Sequence, residues 1–217
     1  MSKHLQRDMD LVHREVLSLS ATVEEMIDKA TQALTQQNAD LSAEVMAMDR
    51  GVDQREVGIE DECLKILALH QPVAGDLRRI ATVLKANNDL ERIGDLAVNI
   101  AGRATALLQY PNFPMPQRLP RMVGMAVGMV RGALDAFVNL DSAAASRIRV
   151  MDDEVDDLNR EIIVELRSLM ESDPSMVKPG LHCFSATRQI ERIADHATNI
   201  AEDVIYLVEG DIVRHRR

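Results

Sequence analysis

LERIGDLAVNIA occupies residues 90–101, and IERIADHATNIA occupies residues 190–201, one hundred positions later. Glu, Arg, Ile, Asp, Ala, Asn, Ile and Ala return in the same order at the same spacing. Ile93, Ala97, Ile100 and Ala101 recur at intervals of three and four, the period of one buried helical face. Packing explains those positions and leaves Glu91, Asp95 and Asn99, with Glu191, Asp195 and Asn199, in need of another reason. With Leu90 at heptad position a and Ile93 at d, Glu91, Asp95 and Asn99 fall at b, f and c, outside the apolar seam.

The repeat extends outward from this stretch. Met26-Ile-Asp-Lys-Ala30 aligns with Met129-Val-Arg-Gly-Ala133 at an offset of 103, and Met48-Asp49 with Val52-Asp53 aligns with Met151-Asp152 and Val155-Asp156 at the same offset. The later copies align at 100, so the second hairpin is about three residues shorter. Between the halves, Tyr110-Pro-Asn-Phe-Pro-Met-Pro-Gln-Arg-Leu-Pro120 holds four of the seven prolines. Proline lacks the backbone donor and blocks helix continuation, which makes this stretch a linker.

Each half reads as three amphipathic helices. In the first, Met9, Val12, Val16, Leu19, Val23, Met26, Ala30 and Ala33 carry one helix, and Gln36-Gln37-Asn38 turns the chain. Val45, Met48, Val52 and Ile59 carry a second, broken at Gln71-Pro72, and Leu90 to Leu107 carry a third. The expected architecture is all-α, two tandem three-helix bundles related by an internal pseudo-twofold: residues 1–110, a linker at 111–120, and residues 121–217. The composition agrees. Aromatic residues make up 2% of the chain and Trp is absent, so Leu, Ile, Val, Ala and Met must fill the core.

Folding the second and third helices about Pro72 brings Asp53 level with Glu91 or Arg92 and Asp49 level with Asp95. A turn near Pro174 does the same for Asp156 with Glu191 and Asp152 with Asp195. Carboxylates in contact repel by about 1 kcal/mol per pair even in water, and a bound cation removes that cost. Oxygen ligands of this kind suit Mg²⁺, Ca²⁺ or Mn²⁺, and bridging carboxylates also suit iron. An ordinary solvated acidic face, neutralised locally by Arg92 and Arg192, accounts for the same residues. Both readings stand at this level. Glu24-Asp28 and Asp153-Asp157, which share the spacing without the level partners, read as solvated face.

Other chemistry finds less support. A ferritin-like di-iron centre uses paired Glu-x-x-His motifs; the chain has none, and Asp10-Leu-Val-His13 is a lone partial match. His196 corresponds to Leu96 in the first copy and reads as an interface or surface histidine. Gly51, Gly58 and Gly94 are isolated within helical patterns and form no phosphate loop. No nucleophile is spaced with a base. Met122, Met125 and Met129 read as core, and Cys63 and Cys183 as buried free thiols of a reducing compartment. The net charge of -10 argues against a nucleic-acid surface, with the basic end Arg214-His215-Arg216-Arg217 read as a solvated tail. MSKHLQRDMD lacks the apolar run of a signal peptide, and no stretch reads as a membrane span, so the expected location is the cytoplasm.

The duplicated Glu-Arg-Ile-x-Asp-x-Ala-x-Asn-Ile-Ala, preceded in the first half by Gln71-Pro-Val-Ala-Gly-Asp-Leu-Arg-Arg, resembles the PhoU family of phosphate-signalling regulators. The resemblance spans nearly the whole chain. It implies a cytoplasmic, non-enzymatic adaptor between the ATPase subunit of a phosphate ABC transporter and a sensor histidine kinase, repressing the phosphate-starvation response when phosphate is plentiful. The implied protein is a homodimer that meets the membrane only through its partners. Family members carry metal ions or multinuclear iron clusters on acidic-x-x-x-Asp motifs. The matching positions are Asp49, Asp53, Glu91 and Asp95, then Asp152, Asp156, Glu191 and Asp195, with Asn99 and Asn199 one turn further on. The implied metals are iron, manganese, magnesium, zinc or calcium. The second helix departs from the pattern by using the shorter Asp at both motif ends. A metal-storage or redox bundle and a plain helical scaffold with solvated acidic faces are the alternative readings.

Overall fold

The computed structural model describes residues 3–210. Six helices follow in order: α1 (Lys3–Gln36), α2 (Ala39–His70), α3 (Ala74–Leu107), α4 (Leu119–Asn139), α5 (Ser142–Ser172) and α6 (Val177–Glu209). No strand occurs among the described residues. The basic segment from Arg214 to Arg217 lies outside them.

Local sequence sets the boundaries. Asn38 caps α2 by accepting from the amides of Asp40 and Leu41, and Asp141 caps α5 by accepting from Ala144. Gln71, in the left-handed region at φ 45, ends α2 just before Pro72, and Ala74 at φ 50 begins α3. A single 3-10 turn, Pro174–Met176, joins α5 to α6. Helix α4 begins inside the expected linker, at Leu119, with Pro120 in its first turn, where a missing N–H costs nothing. Phe113 packs the linker onto the core.

The two halves pack face to face. Helices α3 and α6 form the most extensive contact and run antiparallel, since Lys85 meets Asp203 while Asp89, further along α3, meets His196, earlier in α6. Behind them α1 and α4 also run antiparallel, with Arg131 against Glu24 and Asp28 and, nearer the end of α4, Phe137 against His13. Helix α2 flanks α1 and α3; α5 flanks α4 and α6. The pseudo-dyad therefore runs perpendicular to the helices, close to Ile93 and Ile193, both fully buried.

The repeat is imperfect in one respect. Helix α4 has 21 residues where α1 has 34. The first turns of α1 therefore have no counterpart, and their Leu5, Met9 and Val12 are buried beside the start of α3. Helix α4 is also long and apolar enough, by length and composition, to cross a membrane, against the expectation that no stretch would be. Half of it is buried inside the bundle, and Met122 and Met129 belong to the core.

Gly94, within the signature, has a packing reason. A Cβ there would lie 3.3 Å from Val52 Cγ1, so glycine lets α2 approach α3 beside the acidic residues. Cys63 and Cys183 are buried free thiols, and burial pushes each up to about 12.

Candidate functional site

The duplicated carboxylates lie in two grooves, between α2 and α3 and between α5 and α6. The three-helix packing turns both grooves away from α1 and α4, and the dyad puts them on the same face of the molecule. In the first groove Asp49 is partly buried; burial raises its carboxyl above the usual range, and the charges of Asp53 and Asp95 add to the effect. Glu91 is raised by burial and by Asp95, opposed by Arg92, with further contributions from Glu56 and Asp53. Asp53 is exposed, and the Asp95 side chain is 46% exposed.

In the second groove Asp152 and Glu191 are partly buried and Asp195 is exposed. Asp152 is pushed up to about 6, chiefly by burial, then by Asp195 and Asp156, while the Thr198 side chain acts in the opposite direction. Burial also raises Glu191 and Asp195. Asp195 feels Glu191 and Asp156 next, and Arg188 partly offsets the effect on Glu191. Asp156 is partly buried.

Arginines compensate unequally. Arg92 Nε lies 3.4 Å from Glu91 Oε2, and its Nη1 lies 3.7 Å from Asp95. In the second half the compensating residue is Arg188, 2.7 Å from Glu191 Oε1, whereas Arg192 turns to Gln189. Glu91 Oε2 and Glu191 Oε2, equivalent atoms of the two repeats, are both buried; the first has the Arg92 ion pair but no hydrogen bond, and the second accepts no hydrogen bond. A carboxylate oxygen in that condition loses its water without a replacement donor.

No group of three or more His, Cys, Asp or Glu among the described residues is drawn closely enough together to hold a metal ion as the side chains stand. By type the donors fit a hard cation. The ligands offered are carboxylate oxygens, their charges are mutually unfavourable, and one buried oxygen per groove accepts no hydrogen bond.

The asparagines behave differently from one another. Asn99 is exposed. Asn199 donates to Asp89 Oδ1 at 3.4 Å, across the α3–α6 interface, and so turns from the groove. Sequence reasoning missed this polar interface. Asp89 is 8% exposed and also meets His196 Nδ1 at 2.7 Å; Lys85 meets the buried Asp203 at 3.1 Å. The repeat-equivalent of Asp89 is Gln189 and that of His196 is Leu96, so this clasp exists on one side of the dyad only. Glu56 and Asn87 were missed as well: the Asn87 amide donates to the Glu56 carbonyl at 2.9 Å one turn from the first groove. Glu24 and Asp28, expected to be solvated, bind Arg131 of the other half at 3.2 and 2.6 Å.

Comparison with known proteins bears on the whole of this architecture. The PhoU domain model matches twice, over residues 16–104 and 119–204, one match per three-helix unit. The phosphate-specific transport system accessory protein PhoU homolog of Deinococcus radiodurans is 39% identical over 210 residues, covering 97% of this chain and 99% of that protein. The homolog from Aquifex aeolicus is 40% identical over 212 residues, 98% and 96% of the two chains. The PhoU protein of Escherichia coli K12 is 31% identical over 219 residues, 99% and 91%. Among solved structures, PhoU from Pseudomonas aeruginosa superposes with a TM-score of 0.93 at 36% identity, covering 95% of this chain and 99% of that one. The phosphate transport system regulatory protein PhoU from Streptococcus pneumoniae gives 0.90 at 26% identity, over 96% and 99%. With two domain matches and full-length relatives on the same six-helix frame, this chain belongs to the PhoU family.

Proposed function

We propose that the chain is a non-enzymatic regulator of phosphate uptake and signalling, acting from the cytoplasm as an adaptor between a phosphate ABC transporter's ATPase subunit and a sensor histidine kinase. The observation that carries this reading is full-length kinship to phosphate transport accessory proteins on a frame with two repeat-related acidic grooves. Repression at high phosphate would be steric and allosteric: the chain holds both partners, and a homodimer would hold two sets.

The acidic grooves supply the regulatory chemistry. Asp49, Asp53, Glu91 and Asp95 would hold a cation in the first, and Asp152, Asp156, Glu191 and Asp195 in the second. A bound divalent or trivalent ion would neutralise the mutual repulsion and fix α2 against α3, and α5 against α6. Glu91 and Glu191 would turn to it the buried oxygens that accept no hydrogen bond. Arg92 and Arg188 hold these carboxylates at the groove mouth when the ion is absent.

The test expresses the chain in a host lacking its PhoU relative and follows a phosphate-starvation reporter at high and low phosphate. Restored repression at high phosphate, with the ATPase subunit or kinase recovered in pull-down, supports the reading. A reporter that stays derepressed while the protein is folded and abundant refutes it. Elemental analysis of Asp95→Ala/Asp195→Ala tests the grooves separately: bound metal should fall with helix content intact, and unchanged metal removes the cation sites.

A further inference from the structure

The face opposite the acidic grooves is built differently. Helices α3 and α6 pack along their length, whereas their back-face counterparts α1 and α4 barely touch. The gap is a cleft of ≈ 550 Å³. Its floor is apolar, made by Leu17 and Ala21 of α1 with Leu134 and Val138 of α4. Four carboxylates, Glu24, Glu25, Asp28 and Asp135, stand along it against two cations, Lys29 and Arg131. These ion pairs engage both cations and three of the four carboxylates: Arg131 with Glu24 and Asp28, Lys29 with Glu25 and with Glu44 outside the cleft, which leaves a formal excess of two carboxylates lining it. From Leu17 to Gln32 the α1 wall is roughly 22 Å long, about four helical turns.

We propose that this cleft is a docking groove for a basic amphipathic helix of a partner protein. An apolar floor between two antiparallel helices accepts a third helix through anchors at i, i+3, i+4 and i+7. The surplus of carboxylates selects an anchor stripe flanked by Lys or Arg. The same charge disfavours nucleic acid and anionic lipid. The α4 wall continues past Arg131 to Gly128 and Gly124, both solvent-facing, where an added Cβ would meet nothing. Helix-interior glycines cost about 0.5–1 kcal/mol each relative to alanine, and nothing inside the chain requires them here. They leave the ridge low where an incoming helix would pass. The groove is defined by its own chemistry and does not depend on the phosphate reading.

Fluorescence anisotropy of the full chain with a labelled 15-residue Leu/Lys amphipathic peptide tests it, with a Leu/Glu peptide of the same pattern and anionic vesicles as comparisons. The Leu/Lys peptide should bind, and Glu25→Lys/Asp135→Lys should weaken it at least tenfold. Asp61→Lys/Glu171→Lys, which places the same charge changes outside the cleft, should leave affinity within twofold. Hydrogen exchange of the unaltered chain should show peptide-induced protection centred on residues 17–32 and 131–138, which keeps the test valid if the cleft variant misfolds. Equal weakening by both variants, equal binding of the Leu/Glu peptide, preference for vesicles, or protection centred elsewhere would each overturn the proposal.

Discussion

Replacing Asp152 with asparagine isolates the electrostatic cost of the second groove while keeping the side chain's shape. Asp152 is pushed from 3.8 to about 6, first by burial and then by Asp195 and Asp156. A shift of that size corresponds to about 3 kcal/mol between protonation states; solvent screening in a half-buried groove reduces it to about 1–2 kcal/mol. The sign follows from proton binding. Between pH 3.8 and about 6 the folded state holds the proton more tightly than the unfolded chain, so stability falls as pH rises through that window. Above it the full cost of the ionised carboxylate is present. Asp152→Asn should therefore match the parent near pH 4, gain on it through pH 6, and stay ahead by about 2–8 °C in melting temperature at pH 8 in chelator, given about 2–4 °C per kcal/mol for a chain of this length. Calorimetric melts of both proteins from pH 4 to 8 read this directly. Adding manganese or magnesium should then narrow or reverse the gap, because an ion that binds only the folded parent raises its melting temperature. A variant less stable than the parent at pH 8 in chelator, or a gap independent of pH, would refute the account of the groove.

Asp89→Ala should cost about 1–3 kcal/mol in urea unfolding, because it leaves His196 and Asn199 facing a buried gap in the α3–α6 interface. Gln189→Ala, at the repeat-equivalent position, should change stability by less than about 0.5 kcal/mol, and equal costs would contradict the one-sided clasp. Gly124→Ala/Gly128→Ala should stabilise the isolated chain by roughly 1–2 kcal/mol through helix propensity alone, since neither Cβ meets a neighbour; a lower melting temperature would show packing that the structure lacks. Gly94→Leu should destabilise by about 1–3 kcal/mol, because even its Cβ would press on Val52 at 3.3 Å and the rest of the side chain would push α2 from α3; unchanged thermal unfolding would contradict that close approach.

The helices were legible because their information is local. Ile93, Ala97 and Ile100 mark a buried face by spacing alone, and Asn38, Pro72 and the linker prolines punctuate by backbone chemistry that needs no tertiary partner. The candidate grooves drew notice because the same carboxylates occur twice. That same comparison hid what is not repeated. His196 lost weight because Leu96 stands in its place, yet an interface across a dyad is completed by residues from opposite ends of the two copies, here His196 with Asp89. Asp28 and Glu24 read as solvated face because no carboxylates of a neighbouring helix fall level with them. Their partner was nonetheless written into the alignment. Asp28 and Arg131 occupy equivalent positions of the two repeats, and positions close to a twofold axis meet their own images. Opposite charges at one repeat position near the dyad therefore predict an ion pair between the halves, as Arg131 and Asp28 make at 2.6 Å. Locating the dyad is the step that spacing within a single helix does not supply: it emerges only once α3 is set against α6, near Ile93 and Ile193, and it then accounts for two buried isoleucines and one surface ion pair together.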